Sequence, residues 1–249
     1  MADRGRTRSQ TQGLPRSQGT RQGPAHVERS RSYDPDCTRC PRLAQFLAET
    51  HTRYPDYWAR PVPSFGAGAP RLLIVGLAPG MHGANRTGRP FTGDYAGVLL
   101  YETLHEWGLA SLARSVSADD PLHLRNARIA NAVKCVPPEN KPLPDEIKTC
   151  NAYLKQELQD LASVRVILAL GRVAHDAVLI ANGLTRSRFP FGHANEHRLG
   201  EGRLLVDSYH CSRYNTQTRV LTSSMFKQVV GRACELAGLA EERGERARK

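Results

Sequence analysis

The stretch that most constrains this chain runs from Leu72 to Gly97, LLIVGLAPGMHGANRTGRPFTGDYAG. Its first four residues, Leu72 to Val75, form a continuous apolar run, the pattern of a strand buried on both faces of a parallel sheet. Gly76 ends the run. Gly80 and Gly83 permit a tight turn, and Pro79 fixes φ between Gly76 and Gly80. Such a passage matters because ligands of open α/β sheets bind beyond the carboxyl ends of the strands. The second half of the string adds a basic stretch (Asn85, Arg86, Arg89), the aromatic Phe91 and the carboxylate Asp94. Thr92 or Asp94 also suits the N-cap of a helix through Val98, Leu99, Leu100, Leu104 and Trp107. A merely well-turned loop is the plain alternative, since glycine-rich turns alone are weak signals. The whole string is far more specific than any one glycine.

Strand and helix signals then alternate along the chain. Ile129–Val133 reads as a second strand, leading into Lys134-Cys135-Val136-Pro137-Pro138. Asp145 begins a helix through Ile147, Cys150, Leu154 and Leu158. Val164–Leu170 is a third strand, stopped by Gly171 and followed by a helix near Ala174 to Ala181. Leu204–Asp207 is the fourth, ending in Ser208-Tyr209-His210, and a last helix runs from about Ser224 to Leu236. Upstream, Pro41 suits the first turn of a helix with Leu43, Phe46 and Leu47 on one face, and the prolines and glycines of residues 54–70 read as an extended connector. The alternation predicts an α/β fold, a three-layer α/β/α domain around a central four-stranded parallel sheet. Its expected span is 33–240. Residues 1–32 have almost no large apolar side chains and read as a disordered basic tail, and 241–249 as a polar C-terminal tail.

The distinctive polar residues fall at strand ends: the loop from Gly76, then Asn131, Cys135 and His210. An Asn inside a central strand is penalised unless it is hydrogen-bonded. Asn131 is therefore either satisfied by backbone groups or aimed into a pocket. A net charge of +11 favours a polyanionic partner, nucleic acid being the simplest. No apolar stretch is long enough to span a bilayer. The N-terminus lacks the apolar segment of a secretory signal, so the cytosol is the expected compartment, with an organelle transit peptide the lesser alternative. In a reducing compartment the six unevenly spaced cysteines read as metal ligands rather than disulfides.

Assembled, the strings GLAPGMHGANRTGRPFTGD (76–94), NAVKCVPP (131–138) and YHCSRYNTQTRVLT (209–222), with PVPSFG (61–66) and a four-cysteine pattern, resemble the iron–sulfur branch of the uracil-DNA glycosylases, the type-b or family-five group. The resemblance covers residues 37 to about 225. It implies hydrolysis of the N-glycosidic bond of uracil, and of other deaminated or mispaired bases, in double-stranded DNA, on a nucleotide taken out of the duplex. A monomer without nucleotide cofactor is expected, as neither GK[ST] nor GxGxxG is present.

Residue by residue, the resemblance makes His210 the donor to the base O2 as negative charge develops, a task a neutral imidazole can perform. Asn131 would read the base edge or hold water, and Phe91 would stack on the base. Gly76, Leu77, Ala78, Pro79, Gly80 and His82 would complete the substrate loop. Leu77 and Ala78 stand where the wider superfamily often places an acid or amide, and neither can polarise water. The type-b group uses the Asp of FTGD instead, so the resemblance assigns water activation to Asp94 with Asn131 assisting, against the rival reading of Asp94 as a helix cap. Arg86, Ser212, Arg213, Tyr214 and Asn215 would grip DNA, with surface placement the plain alternative for each. Cys37, Cys40, Cys135 and Cys150 would hold a structural [4Fe–4S] cluster, although four thiolates alone suit zinc equally. Two departures stand out. Cys211 replaces the usual Pro, and Gly80 occupies the turn position where uracil-strict relatives carry Tyr. The rival from another class is a non-catalytic nucleic-acid-binding protein with a structural Cys₄ metal site.

Overall fold

The computed structural model describes residues 32–240; the expectations for residues 1–31 and 241–249 lie outside the described residues. In chain order the elements are α1 (Pro41–Arg53), β1 (Phe65–Gly66), β2 (Leu72–Gly76), α2 (Ala84–Thr87), α3 (Tyr95–Glu106), β3 (Ala127–Asn131), α4 (Pro144–Asp160), β4 (Val166–Leu170), α5 (Arg172–Ala181), β5 (Glu196–Arg198), β6 (Leu204–Ser208), α6 (Arg213–Gln217) and α7 (Ser223–Leu236).

Apolar runs become the sheet because both of its faces are covered. Leu72 and Ile74 of β2, with Val166, Leu168 and Leu170 of β4, face one core with α3 and α7. Leu73 and Val75, with Ile167 and Ala169, face a second core with α4 and α5. The period of two is the strand pleat itself. The sheet has six strands in the order β1-β3-β2-β4-β6-β5. β3, β2, β4 and β6 are mutually parallel, and β1 and β5 add antiparallel edges. The expected four-stranded sheet is thus widened by two. Phe65–Gly66 is only two residues long inside the proline-rich connector, and Glu196–Arg198 is wholly polar, so neither carries an apolar signal.

The order of the parallel strands reverses between β2 and β4. In open sheets a crevice opens at that point beyond the carboxyl ends. Gly76, Asn131, Gly171 and Ser208 lie there. β3 ends at Asn131, two residues before the expected limit. Beyond it, the Ala132 and Val133 N–H groups donate to the Gly76 and Leu77 carbonyls at 2.9 and 3.0 Å, continuing the pairing into the loop.

A third cluster packs α1 against the chain after β3 and against α4, through Leu43, Leu47, Val133, Val136 and Tyr153. Arg42 of α1 grips Glu146 of α4 with Nε and Nη2 at 2.8 and 2.7 Å, a forked, charge-assisted contact. Buried Lys134 bonds Ser64 Oγ at 2.8 Å and Glu157 at 3.3 Å. Glu157 also accepts from Ser64 and Arg128. The Ser64 of PVPSFG is thereby tied to the strand that delivers Cys135. Among the described residues no helix is long and apolar enough to cross a membrane.

Candidate active site

Gly76 is where the site begins, at the carboxyl end of β2. A Cβ there would lie 2.7 Å from both Asn131 Oδ1 and the Phe91 ring, so only glycine lets the two side chains close over the strand end. Phe91 adopts φ +54°, an uncommon state for a non-glycine residue. It is fixed from both sides. The Tyr101 hydroxyl donates to the Pro90 carbonyl at 2.9 Å, and Thr92 bonds Ser115 at 2.8 Å. Asn131 is 3% exposed, and its Oδ1 has no hydrogen-bond partner among the described residues. An orphaned buried acceptor costs about 1–3 kcal/mol, which points to a ligand or water as its partner.

Asp94 divides its two oxygens. Oδ1 accepts from the Gly97 N–H at 2.8 Å and caps α3. Oδ2 faces the first loop. A Cβ at Gly80 would sit 3.5 Å from it, and one at Gly83 would collide with it. Burial raises the Asp94 pKa, opposed by hydrogen bonds from the Gly97 and Ala96 backbone. The cap and a carboxylate turned toward the loop therefore coexist on one side chain.

His210 follows β6. Its ring lies 6.1 Å from that of Phe91, inclined by 26°, and its buried Nδ1 has no partner among the described residues. Burial without a compensating charge lowers its pKa to about 4, so the imidazole is neutral at physiological pH. Asn215 Nδ2 donates to the His210 carbonyl at 2.8 Å, which gives this amide a local task in holding the loop. Cys211 is fully buried beside Asp94; its thiol donates to the Ala96 carbonyl at 3.5 Å and is pushed up to about 12, mainly by burial.

Asn131 and Phe91 thus meet at Gly76 with the His210 ring beside Phe91, and Asp94 lies against Gly80 and Gly83 of the same loop. Leu77 and Ala78 are half-buried and Pro79 is buried, and Ala78 packs against the cysteine-bearing cluster. His82, next to Gly83 in the same loop, is exposed, and its Nδ1 lies 2.9 Å from the Tyr57 hydroxyl in a group with Tyr54. Arg86 is exposed, with Nε donating to the His82 carbonyl at 2.8 Å. Arg89, read as part of a basic stretch, is buried and pairs with Asp120 and Ser115. Ser212 caps α6, Arg213 is exposed, and Tyr214 projects with 72% of its surface open.

Cys37, Cys40, Cys135 and Cys150 line one cavity, with Lys134 and Tyr153. The Lys134 N–H donates to Cys150 Sγ at 3.3 Å. Burial and the neighbouring thiols raise the Cys135 pKa, and burial pushes Cys150 up to about 11. Gathering four thiolates here therefore requires a cation. Four soft donors without an imidazole fit iron–sulfur or zinc rather than a hard ion.

One constellation is missing from the sequence reading. His175, His197 and Asp207 bring their side-chain polar atoms within 4.8 Å of one another behind β6. The available signal was Asp207, an acid closing an apolar strand just as Asn131 closes β3.

The sequence profile of the uracil DNA glycosylase superfamily matches residues 63–233. A type-5 uracil-DNA glycosylase of Thermus thermophilus is 49% identical over 208 residues, covering 82% of this chain and 94% of that protein. One from Mycobacterium tuberculosis is 42% identical over 211 residues, covering 82% and 79%. A type-4 uracil-DNA glycosylase of Archaeoglobus fulgidus is 30% identical over 204 residues, covering 80% and 88%.

Proposed function

The chain belongs to the uracil DNA glycosylase superfamily and is a repair glycosylase acting on uracil in DNA, and from that premise we propose that Asn131, His210 and Asp94 hydrolyse the N-glycosidic bond of a uracil flipped out of duplex DNA. The bond between C1′ and uracil N1 breaks, and its electron pair leaves with the base. An imidazole N–H of His210 donates to O2, where the negative charge collects. Asn131 turns its amide to the base edge, and Phe91 stacks on the ring. Asp94 Oδ2 orients the attacking water and takes its proton as the oxygen bonds to C1′, leaving an abasic sugar. Preorganised donors of this kind act most strongly where water is excluded.

The observation that carries this reading is the pair of orphaned buried atoms, Asn131 Oδ1 and His210 Nδ1, at strand ends around one loop. Duplex DNA bearing one uracil, incubated with the protein and then treated with alkali, should be cut at that site. His210→Ala should slow single-turnover cleavage by about 10²–10³-fold, as loss of one preorganised donor does. A protein that binds this duplex and cuts nothing would be the non-catalytic alternative, and the assignment would fall.

The open space at Gly80 supports a wider substrate range, including hypoxanthine, 5-substituted uracils and thymine opposite guanine. Mispaired bases are favoured because flipping them breaks less pairing. Exposed Tyr214, Arg213 and Arg86 suit the DNA surface, Tyr214 as a wedge and the arginines as phosphate ligands. Cys37, Cys40, Cys135 and Cys150 would hold the [4Fe–4S] cluster that the sequence resemblance implies. When bound, it supplies a covalent cross-link between α1 and the segment after β3, and no chemistry at the sugar. The unit over 33–240 would act as a monomer.

A further inference from the structure

Behind β6, His175 of α5 is 1% exposed and Asp207 is 0% exposed. His175 Nδ1 lies 2.7 Å from Asp207 Oδ1, and its Nε2 lies 2.9 Å from the Phe189 carbonyl. A carboxylate and a carbonyl only accept hydrogen bonds, so a ring contacting both must donate from both nitrogens. The other groups around it are accounted for. His197 of β5 donates from Nε2 to Asp207 Oδ2 at 3.2 Å, and the Gly192 N–H lies 3.4 Å from the same oxygen. On α5 itself, Asp176 pairs with Arg186 at 3.5 Å, and Arg172 lies over the Phe191 ring. Burial lowers the His175 pKa, but the hydrogen bond and charge of Asp207, the Phe189 carbonyl and, least, Asp176 together raise it.

This buried pair is joined to His210 by two routes. Along β6, Asp207 leads to Ser208 and to Tyr209, whose N–H donates to His193 Nδ1 at 3.1 Å. Across to α5, the His175 backbone N–H donates to the Gly171 carbonyl at 3.1 Å, and the Gly171 N–H to the Ser208 carbonyl at 2.8 Å. A Cβ on Gly171 would lie 3.4 Å from that of His210. We propose that His175 is carried as an imidazolium locked between Asp207 and the Phe189 carbonyl, and that this pair is a positioning device that sets where His210 meets the base. The inference rests on the glycosylase reading of the site. A buried ion pair is poor evidence of stability but a strong fixer of geometry, because removing one partner strands the other charge.

The test uses the full-length protein with ¹⁵N-labelled histidine. NMR should show both His175 ring nitrogens still protonated at pH values where an ordinary histidine has lost its proton. Single-turnover cleavage should fall on the alkaline side as that proton leaves. Asp207→Asn should move this alkaline limb to lower pH, because the charge that retains the proton is gone. His175→Gln should lower the rate by about 10²-fold, the effect of a misplacement near 1 Å, with affinity for abasic-site DNA unchanged. Should either variant fail to fold, the wild-type NMR state still decides, and the more exposed His197→Gln should shift the same limb. A wild type that cleaves while His175 carries one ring proton overturns this inference alone. So does one equivalent of zinc that is lost in His175→Gln, since an ion would then sit where the proton is placed. A wild type that releases no uracil overturns the function itself, and the positioning role with it.

Discussion

Asp94 uses its two oxygens differently, and substitution can separate their tasks. Asparagine caps a helix about as well as aspartate but cannot take a proton from water. Asp94→Asn should therefore keep its melting temperature and lose single-turnover rate. Asp94→Ala should lose both, with about 1 kcal/mol of cap stability. Full rate in both variants would leave Asp94 as a cap only. Burial raises this carboxyl's pKa, so it holds its proton to higher pH than an ordinary aspartate. In the proposed role of water-activating base it must be ionised, and cleavage should then fall as pH drops through that raised value. His210 shifts the other way, to about 4, and an imidazolium still donates to the base, so the acid limb that belongs to the carboxylate should be lost in Asp94→Asn. Gly80 makes a second residue-level test. A Cβ there meets only Asp94 Oδ2, at 3.5 Å, so a side chain enters open space beside the carboxylate. Gly80→Tyr should suppress thymine and hypoxanthine release far more than uracil release, while Gly80→Ala leaves all three. A hydrophobic pocket alone rejects one extra methyl by only about 1–3 kcal/mol, and the Tyr ring adds steric exclusion to that. Equal loss on every base would show that the ring strikes Asp94 instead of the base.

At the scale of elements, α1 and the segment leaving β3 meet over the cavity lined by the four cysteines, and Ala78 and Met81 of the substrate loop pack against that cluster. Iron and acid-labile sulfide, measured on anaerobically purified protein, should be present in place of zinc. Cys135→Ser should lower soluble yield and melting temperature more than the single-turnover rate of the protein that folds. A colourless protein carrying zinc would overturn the cluster. The parallel strands were legible because apolar runs such as Leu72–Val75 and Val166–Leu170 have one physical solution, burial on both faces. Asn131 and His210 stood out in the sequence as polar residues at the ends of such runs, whereas Asp94 was singled out as a cap and, for water, only through the family resemblance of its loop. β1 and β5 were not legible, since two residues and a polar triplet leave no periodic signal. Nor were the fates of Arg89, Asn215 and His175. Each is consumed by a partner distant in the chain or by a local carbonyl, and composition shows a charge or an amide without showing what neutralises it. Arg89 pairs with Asp120, 31 residues away, and His175 with Asp207, 32 residues away.

The whole molecule carries a net charge of +11, against a DNA substrate that, as the proposed duplex, would present one negative charge for about every 1.7 Å of helix axis. That charge is unevenly spread. Residues 1–31 hold seven arginines against Asp3 and Glu28, while within the described region Arg89 and Lys134 are buried and paired. The first segment thus accounts for a net +5 (seven arginines less two acids) of the +11, a charge suited to meeting phosphate without regard to sequence. Phosphate contacts position a protein and set its salt dependence, whereas the flipped base is read inside the pocket. Replacing the seven arginines by glutamine in the full chain should accordingly weaken binding to undamaged duplex and flatten the slope of log K against log salt, by about 0.9 for each phosphate no longer neutralised. Single-turnover cleavage at saturating enzyme should stay at the wild-type rate, because no group around Gly76, Asn131, Asp94 or His210 is touched. An unchanged slope would mean that these arginines do not meet DNA. A fall in the saturated rate would mean that the segment reaches the pocket, and that binding and chemistry are not divided as the distribution of charge implies.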